Sequence, residues 1–547
     1  MEDKNSEAIN QLNKRKTLRK SIKQIYFEYC SNTSIHGIQY FGERRPSIEK
    51  LFWLCVFLAS IYCCSNLIHC VYVKWNETPV IVSFSEKSTP VWSIPFPAIT
   101  ICSETKRVPR EGFSYGKFLQ DLQEHVETRR HFQAKNLSRV ELEELRTLLH
   151  ICNPQLIKQG TPNLSSDLID YFSVLERIQP EFNRYFYFCK WFSHFGECDE
   201  LFTRTYTNEG ICFTFNGLNA TDLYREDTVQ HQRTVSHNTS KYNIILKRPF
   251  KWSLQNGFSL DSGIKTYPAR VLGAGSRAGF FIALQSFRQE VDYACRGPIQ
   301  GFKVSLHSPD DVPQVSNQFV RIPMGKEVVI AVKPNMITTS SGIAEYPPQR
   351  RQCFLENERR LRFFKVYTQS NCVLECLTNL TLAKCGCVKF SMPRTLEMPI
   401  CAENKIFCYD RAEDILLMRE FRQGLKEFPL NYLGTTECNC LPACTSLVYN
   451  TEISHGNFDL EDMLKATADT SFYEDFPGSQ MSRLSVYFKE HQFITSKRSE
   501  LYGITDFLAN CGGIFGLFMG FSILSLVELL YHISLRLWSN MRHLTPS

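Results

Sequence analysis

Residues 1–50 of this 547-residue chain lack an apolar core, so no signal peptide is expected there. The chain also lacks a strong charge of either sign. Its 62 Lys and Arg stand against 56 Asp and Glu, and a net +6 is too mild for a nucleic-acid partner. A mean hydropathy of −0.23 excludes a bundle of many membrane spans, which would drive the value positive. Sequence motifs for catalysis are missing too: there is no Gly-x-Ser-x-Gly, no His-Glu-x-x-His and no phosphate-cradling loop. Gly273, Gly275 and Gly279 miss the dinucleotide spacing by one residue and read as a loop. The 13 histidines form no pair at metal-ligand spacing on a credible helix. Neither an enzyme nor a bound cofactor or metal is expected. No repeat or low-complexity segment stands out, and a 43% hydrophobic, 22% charged chain is ordinary for folded protein.

What the chain does have is two long apolar runs. Leu51 to Val73 contains 23 residues without Asp, Glu, Lys or Arg. At ~1.5 Å per residue it reaches ~34 Å, enough to cross a bilayer. Between Asp506 and Glu528 lie 21 uncharged residues, and Leu529 to Ile533 extend that run past the acid. Ten basic residues precede the first run: Lys4, Lys14, Arg15, Lys16, Arg19, Lys20, Lys23, Arg44, Arg45 and Lys50. Arg536 and Arg542 follow the second. The positive flanks place both termini in the cytosol and the chain in the plasma membrane. The expected order is a cytosolic segment 1–50, a span 51–73, an extracellular domain 74–505, a second span 506–533 and a cytosolic tail 534–547.

Two further signals agree with an extracellular middle. Glycosylation sequons cluster there, at Asn136, Asn163, Asn219, Asn238 and Asn379. Of the 22 cysteines, Cys30, Cys55, Cys63, Cys64, Cys70 and Cys511 fall in the N-terminal segment or the spans. Sixteen remain outside, an even number in an oxidising space.

The middle reads as mixed α and β. Residues 115–151 read as a helix, with a capping-box pattern at Ser138 and Glu141. Gly210 to Asn216, Gly301 to Pro309, Lys326 to Pro334 and Arg483 to Glu490 alternate like half-buried strands. The densest cysteine block suggests a ladder. Cys372 and Cys376 share one helix face, and Cys438 and Cys440 one face of an extended segment. Four helical residues advance ~6 Å and two extended residues ~6.6 Å, so the rungs match. Antiparallel nesting pairs Cys372–Cys440 and Cys376–Cys438, places Cys385–Cys408 outside Cys387–Cys401, and puts Cys353–Cys444 outermost. Zinc is the competing reading, disfavoured outside the cell without paired histidines. Such a ladder would stiffen the lobe into a lever.

The second run carries the informative chemistry. Gly512, Gly516 and Gly520 recur every four residues, a small-residue stripe on one helix face that suits close packing. Gly520-Phe521-Ser522 and then Glu528 follow within the membrane. A carboxylate inside a span normally faces water or protein. Oxygens ringed around an axis can replace the hydration shell of a small cation, and one helix cannot make a ring, so an oligomer is implied.

With these features the chain resembles the degenerin/epithelial sodium channel family, and within it the insect pickpocket branch. The match runs from about Cys30 to Tyr531. The cytosolic SIHG, Ser34 to Gly37, is similar to the family's His-Gly element, and FPAITIC, Phe96 to Cys102, to the segment after the first span. GICFTFN is similar to a family strand, the cysteine ladder matches in spacing, and Gly512 to Tyr531 resembles the pore helix. The resemblance implies an α+β membrane protein with two transmembrane helices. It implies a large β-rich, disulfide-stapled ectodomain of palm, finger, thumb and knuckle, assembled as a trimer. It further implies permeant Na⁺ and block by amiloride, with Gly520, Phe521 and Ser522 as the selectivity filter and His36 and Gly37 at the cytosolic mouth. Ala509 falls at the small degenerin position, and Asn510, Gly513, Gly516 and Glu528 fall along the pore. The resemblance also implies Cys102–Cys212 and Cys189–Cys198, leaving Cys152 and Cys295 as a pair by elimination. One departure stands out. Acid-sensing relatives carry a Trp three residues before the first thumb cysteine that links thumb motion to the first span, and here that position is Arg350.

The expectation is a subunit of a homo- or hetero-trimeric, sodium-preferring cation channel in a lipid bilayer, opened by an extracellular chemical or mechanical stimulus. The rivals are an ATP-gated trimer, whose triphosphate-binding cluster cannot be assembled here, and a two-span glycosylated uptake receptor, which has no need of a mid-membrane Gly-x-Ser and Glu.

Overall fold

Alternation of β-branched and aromatic residues with polar ones decides where strands form. The computed structural model describes residues 21–77, 80–108, 115–120, 137–152, 169–192, 194–236, 252–259, 263, 266–425, 438–467 and 478–539. The chain divides into two compact units. The smaller takes Met1–Val82, Ser340–Arg351 and Arg498–Ser547, and the larger Ser83–Thr339 and Gln352–Lys497. Ser340–Arg351 falls in the smaller unit with the apolar helices.

The strands are β1 (Val80–Pro90), β2 (Ala98–Ser103), β3 (Phe186–Trp191), β4 (His194–Gly196), β5 (Phe202–Thr207), β6 (Gly210–Phe215), β7 (Trp252–Ser253), β8 (Gly257–Phe258), β9 (Phe280–Phe287), β10 (Phe302–His307), β11 (Val320–Ile322), β12 (Lys326–Thr339), β13 (Ser446–Asn457), β14 (Ser479–Phe488) and β15 (Gln492–Glu500). One sheet runs β1-β15-β12-β14-β9-β3-β4, with β13 also on β12. A second runs β11-β10-β2-β6-β5, and β7 and β8 form a small hairpin. All four segments read as strands are strands. β12 runs past the expected end at Pro334. Proline forfeits one donor, yet the antiparallel pairing with β13 continues to Ile337↔Ser446.

The core of the larger unit is strongly aromatic. Phe96, Phe215, Phe280 and Phe488 are buried together with Ile99, Ile330 and Leu484. Phe215 stacks on Phe280 at 4.5 Å between ring centres, and Phe96 meets Phe488 edge to face at 5.5 Å. Truncating one such ring to Ala costs about 3–5 kcal/mol.

The smaller unit carries α1 (Ser47–Glu77). In the larger unit, α2 (Arg139–Ile151) begins at a reciprocal cap. The Glu141 amide donates to Ser138 Oγ at 3.3 Å, and the Ser138 amide donates to Glu141 Oε2 at 2.8 Å. This corrects the expected helix 115–151. Residues 115–120 are helical, but Ser138 is extended and starts a new helix, because its side chain takes over the first orphan donors. Residues 121–136 lie outside the described ones. α3 (Tyr171–Ile178) packs against α2. α4 (Gln369–Cys385) is capped by Thr368, whose Oγ1 accepts from the Asn371 amide at 3.1 Å, and ends at Gly386 in the left-handed region, φ +74°. α5 (Ile406–Leu425) lies beside α4.

Eight disulfides bind the larger unit: Cys102–Cys212, Cys152–Cys295, Cys189–Cys198, Cys353–Cys444, Cys372–Cys440, Cys376–Cys438, Cys385–Cys408 and Cys387–Cys401. The Cα–Cα spans of the two α4 rungs, 5.7 and 5.9 Å, suit the matched pitches argued above.

In the smaller unit, α1 is the one described helix long and apolar enough by itself to cross a membrane. The second apolar run is not one helix. It forms α6 (Ile504–Met519) and α7 (Ile523–Tyr531), followed by a π-helical turn His532–Arg536. Helices Ile504–Met519 and Ile523–Ser539 reach spanning length and apolarity only together, and they are bent by 65°.

Candidate functional site

The bend is built by three residues. Gly520 closes α6 at φ +62°, a conformation that side chains resist, and its amide donates to Gly516 O at 2.9 Å. A Cβ here would also stand 2.6 Å from the His36 ring, so two independent constraints demand glycine. Phe521 follows, its ring 6.0 Å from that of Phe515. Ser522 caps α7. Its Oγ accepts from the Ser525 amide at 3.2 Å, and its own amide donates to Ser525 Oγ at 3.1 Å.

A loop from the start of the chain braces the bend. The His36 amide donates to Met519 O at 2.8 Å, capturing a carbonyl that the end of α6 leaves free. Ser34 and Ser525 share a hydrogen bond at 2.7 Å, and Ser34 Oγ donates to Glu528 Oε2 at 3.3 Å. Gly37 turns the loop at φ +85°. The preceding helical segment, residues 21–32, is tied to the far end of the bent helix. Arg536 Nη2 meets Glu28 Oε1 at 2.8 Å, and the Tyr29 and His532 rings lie 5.4 Å apart. Gly520, Phe521, Ser522, His36, Gly37 and Glu528 therefore converge, although nearly 500 residues separate their two groups. Ser34 and Ser525 were not singled out from the sequence. Their only signals are the Ser-x-x-Ser spacing to Ser522 and the place of Ser34 in SIHG.

Ala509, Asn510, Gly512 and Gly513 lie on α6 before this knot, and Gly516, whose carbonyl accepts from the Gly520 amide, borders it. Ala509, Asn510, Gly512 and Gly513 are exposed, and a Cβ at Gly512, Gly513 or Gly516 would meet nothing within 4 Å. Among the described residues, Gly512, Gly513 and Gly516 thus pack against nothing within this chain, whereas Gly520 packs against His36. Contact with α1 instead includes Trp75 stacked on Phe507 at 5.3 Å, two residues before Ala509. Arg350 joins that stack. Its guanidinium lies 4.2 Å from the Trp75 ring and 4.3 Å from the Tyr346 ring, and Nη2 donates to Trp75 O at 3.2 Å. The residue that departs from the acid-sensing pattern still reaches the end of α1.

Of the sequons, Asn219 and Asn379 are half-buried, the former heading a short helix and the latter within α4. Asn136, Asn163 and Asn238 lie outside the described residues. No group of three or more His, Cys, Asp or Glu that could hold a metal occurs among the described residues.

The sequence matches a family model, the amiloride-sensitive sodium channel, over residues 29–532. Pickpocket protein 28 of Drosophila melanogaster is 28% identical over 95% of this chain and 79% of its own length. Sodium channel protein Nach of the same fly is 22% identical over 95% and 89%. The human bile acid-sensitive ion channel is 23% identical over 93% and 86%. Channels of this family sit in the plasma membrane, assemble as oligomers of related subunits, and are not enzymes. The bend at Gly520 to Ser522 and the loop Ser34 to Gly37 fall inside the matched region, and the chain belongs to the amiloride-sensitive sodium channel family, the degenerin/epithelial sodium channels.

Proposed function

We propose that the chain is one subunit of a trimeric, sodium-preferring cation channel, with α1 and the bent α6–α7 helix as its two spans. The observation that carries this reading is the glycine-serine bend braced by Ser34 to Gly37. It breaks an otherwise apolar span at a glycine and a serine with Phe521 between them. Three copies around an axis would ring Gly520, Phe521 and Ser522 into a filter able to replace the hydration shell of Na⁺. The uncovered face of Gly512, Gly513 and Gly516 suits the close approach of neighbouring copies. Ala509 and Asn510 would line the outer approach, and His36 and Gly37 the cytosolic mouth.

Basic residues before α1 and after α7 support cytosolic termini, and the disulfides and sequons support an extracellular larger unit. That unit would sense a chemical or mechanical stimulus, in a homo- or hetero-trimer with related subunits. Arg350, Trp75 and Phe507 would pass the response toward Ala509. Amiloride is the expected blocker. The test is current in cells expressing the chain, alone and with related subunits, with Na⁺ then replaced by an impermeant cation. A Ser522→Tyr channel should lose or reshape selectivity while still reaching the surface. Unchanged Na⁺/K⁺ permeability in that variant would remove the filter assignment.

A further inference from the structure

Charge goes unanswered at one place in the larger unit. Asp310 and Asp311 follow β10 and lead into Val312. Asp310 is 1% exposed. Neither of its carboxylate oxygens, nor Oδ1 of Asp311, meets a hydrogen-bond partner among the described residues. Their backbone is anchored, and Asp311 is half-buried. Asn371, itself fully buried in the first turn of α4, donates from Nδ2 to Asp310 O at 2.9 Å and accepts from the Val312 amide at 3.1 Å. The pocket beside Asp310, lined in part by Trp252, Phe354 and Tyr367, holds about 50 Å³, room for a few waters.

Among the described residues, the groups that face the pair offer no compensating cation, and the Ser308 hydroxyl stands beside Asp310. On the β10 side, His307 is spoken for. Its Nε2 pairs with Thr100 Oγ1 and its Nδ1 with Ser308 O, each at 2.9 Å, and burial holds its ring neutral, down at about 4. From the connection before α4, Glu356 adds a third negative charge, and Thr368 stands beside Asp311. On β13, the Tyr449 hydroxyl donates to Pro95 O at 2.8 Å. Burial and the neighbouring like charge both disfavour ionisation of the pair together.

We propose that Asp310 and Asp311 form a proton-binding site, holding one proton between them where β10 meets the start of α4. Burial, and then the charge of Asp310, push Asp311 up to about 7, and burial raises Asp310 as well. The two titrate as a unit. The unfolded chain would release this proton near the ordinary aspartate value of about 3.9. The folded chain keeps it, so the site's contribution to stability is complete below that value. It falls as pH rises through about 7 and then levels off. The site is independent of what the channel conducts.

The test uses the full chain in detergent. Its unfolding temperature should fall as pH is raised from about 5 to about 9. Asp310→Asn and Asp311→Asn should flatten that profile and leave the alkaline form at least as stable as the wild type, while Asp311→Glu should restore the slope. Infrared spectra of the wild type should show a protonated carboxylic-acid carbonyl band that disappears near neutrality and is missing from Asp311→Asn. An unaltered pH profile in both Asn variants would overturn the proposal. So would recovery of alkaline stability by added Ca²⁺, which would make this a divalent-cation site. Should the Asn variants not fold, the wild-type spectrum decides, and absence of a titrating acid band sinks the idea.

Discussion

The two units treat cysteine in opposite ways. Every cysteine of the larger unit is in a disulfide, and the bridges close sequence separations from 9 to 143 residues. Every cysteine of the smaller unit is a free thiol: Cys30, Cys55, Cys63, Cys64, Cys70 and Cys511. The larger unit is therefore locked by crosslinks worth about 2–5 kcal/mol each. In the smaller unit the bend is braced by a few hydrogen bonds worth about 0.5–1.5 kcal/mol each. A shape change that costs little belongs in the second region, while the first can pass on force without yielding.

The sharpest way to break that comparison is Gly520→Ala. The left-handed backbone alone costs a side chain about 1–2 kcal/mol, and the added Cβ runs into His36. Sodium current should vanish while surface biotinylation stays normal. Wild-type current would show that the bend is not needed. Next in size, Cys372→Ala or Cys376→Ala should lose about 2–5 kcal/mol and most surface delivery, whereas Cys64→Ala or Cys511→Ala should traffic normally. Equal trafficking of all four would erase the contrast between the units.

A smaller effect is expected at Ala509. If three copies close against one another there, Ala509→Phe penalises only the closed state, and ~1.4 kcal/mol raises the open-to-closed ratio tenfold. Single-channel records with wild-type open probability would remove the gate assignment. The smallest effect is at Arg350. Arg350→Ala removes a cation–π sandwich worth about 0.5–2 kcal/mol and should shift the stimulus–response curve, with Arg350→Lys intermediate because it keeps the charge but not the flat guanidinium. Coincident curves for the three proteins would leave Arg350 without a transmitting role.

Much of this was legible in local patterns. Alternation marked β6, β10, β12 and β14, and the pitch of four helical against two extended residues nested the α4 rungs. Ser138 and Glu141 announced the start of α2, although the stripe of leucines after them hid that a helix was beginning and not continuing. The bend was harder to read. Hydropathy stays high on both sides of Gly520, so composition describes one span, and the break rests on a single left-handed glycine and a serine cap. Non-covalent contacts between distant residues left little trace in the sequence. The brace joins Ser34 to Ser525 and Glu528. Glu209 lies buried against Lys106 at 3.2 Å and Lys303 at 2.7 Å, with Arg296 also in contact, yet these partners are scattered over about 200 residues. Burial would raise the Glu209 carboxyl, but Lys106, Arg296 and Lys303 together hold it well below the usual range, and burial draws Lys106 down to about 8.

The ion pair between Glu28 and Arg536 connects residues 508 apart in sequence, so the earliest and latest described helices of the chain are moored to each other. An event at either of these helices, whether a bound protein, a cleavage or an added phosphate, is then mechanically an event at both. It arrives at the bend by two routes, up the last helix from Arg536 and along the loop through His36. The helices that carry Glu28 and Arg536 are better regarded as one handle than as two separate levers.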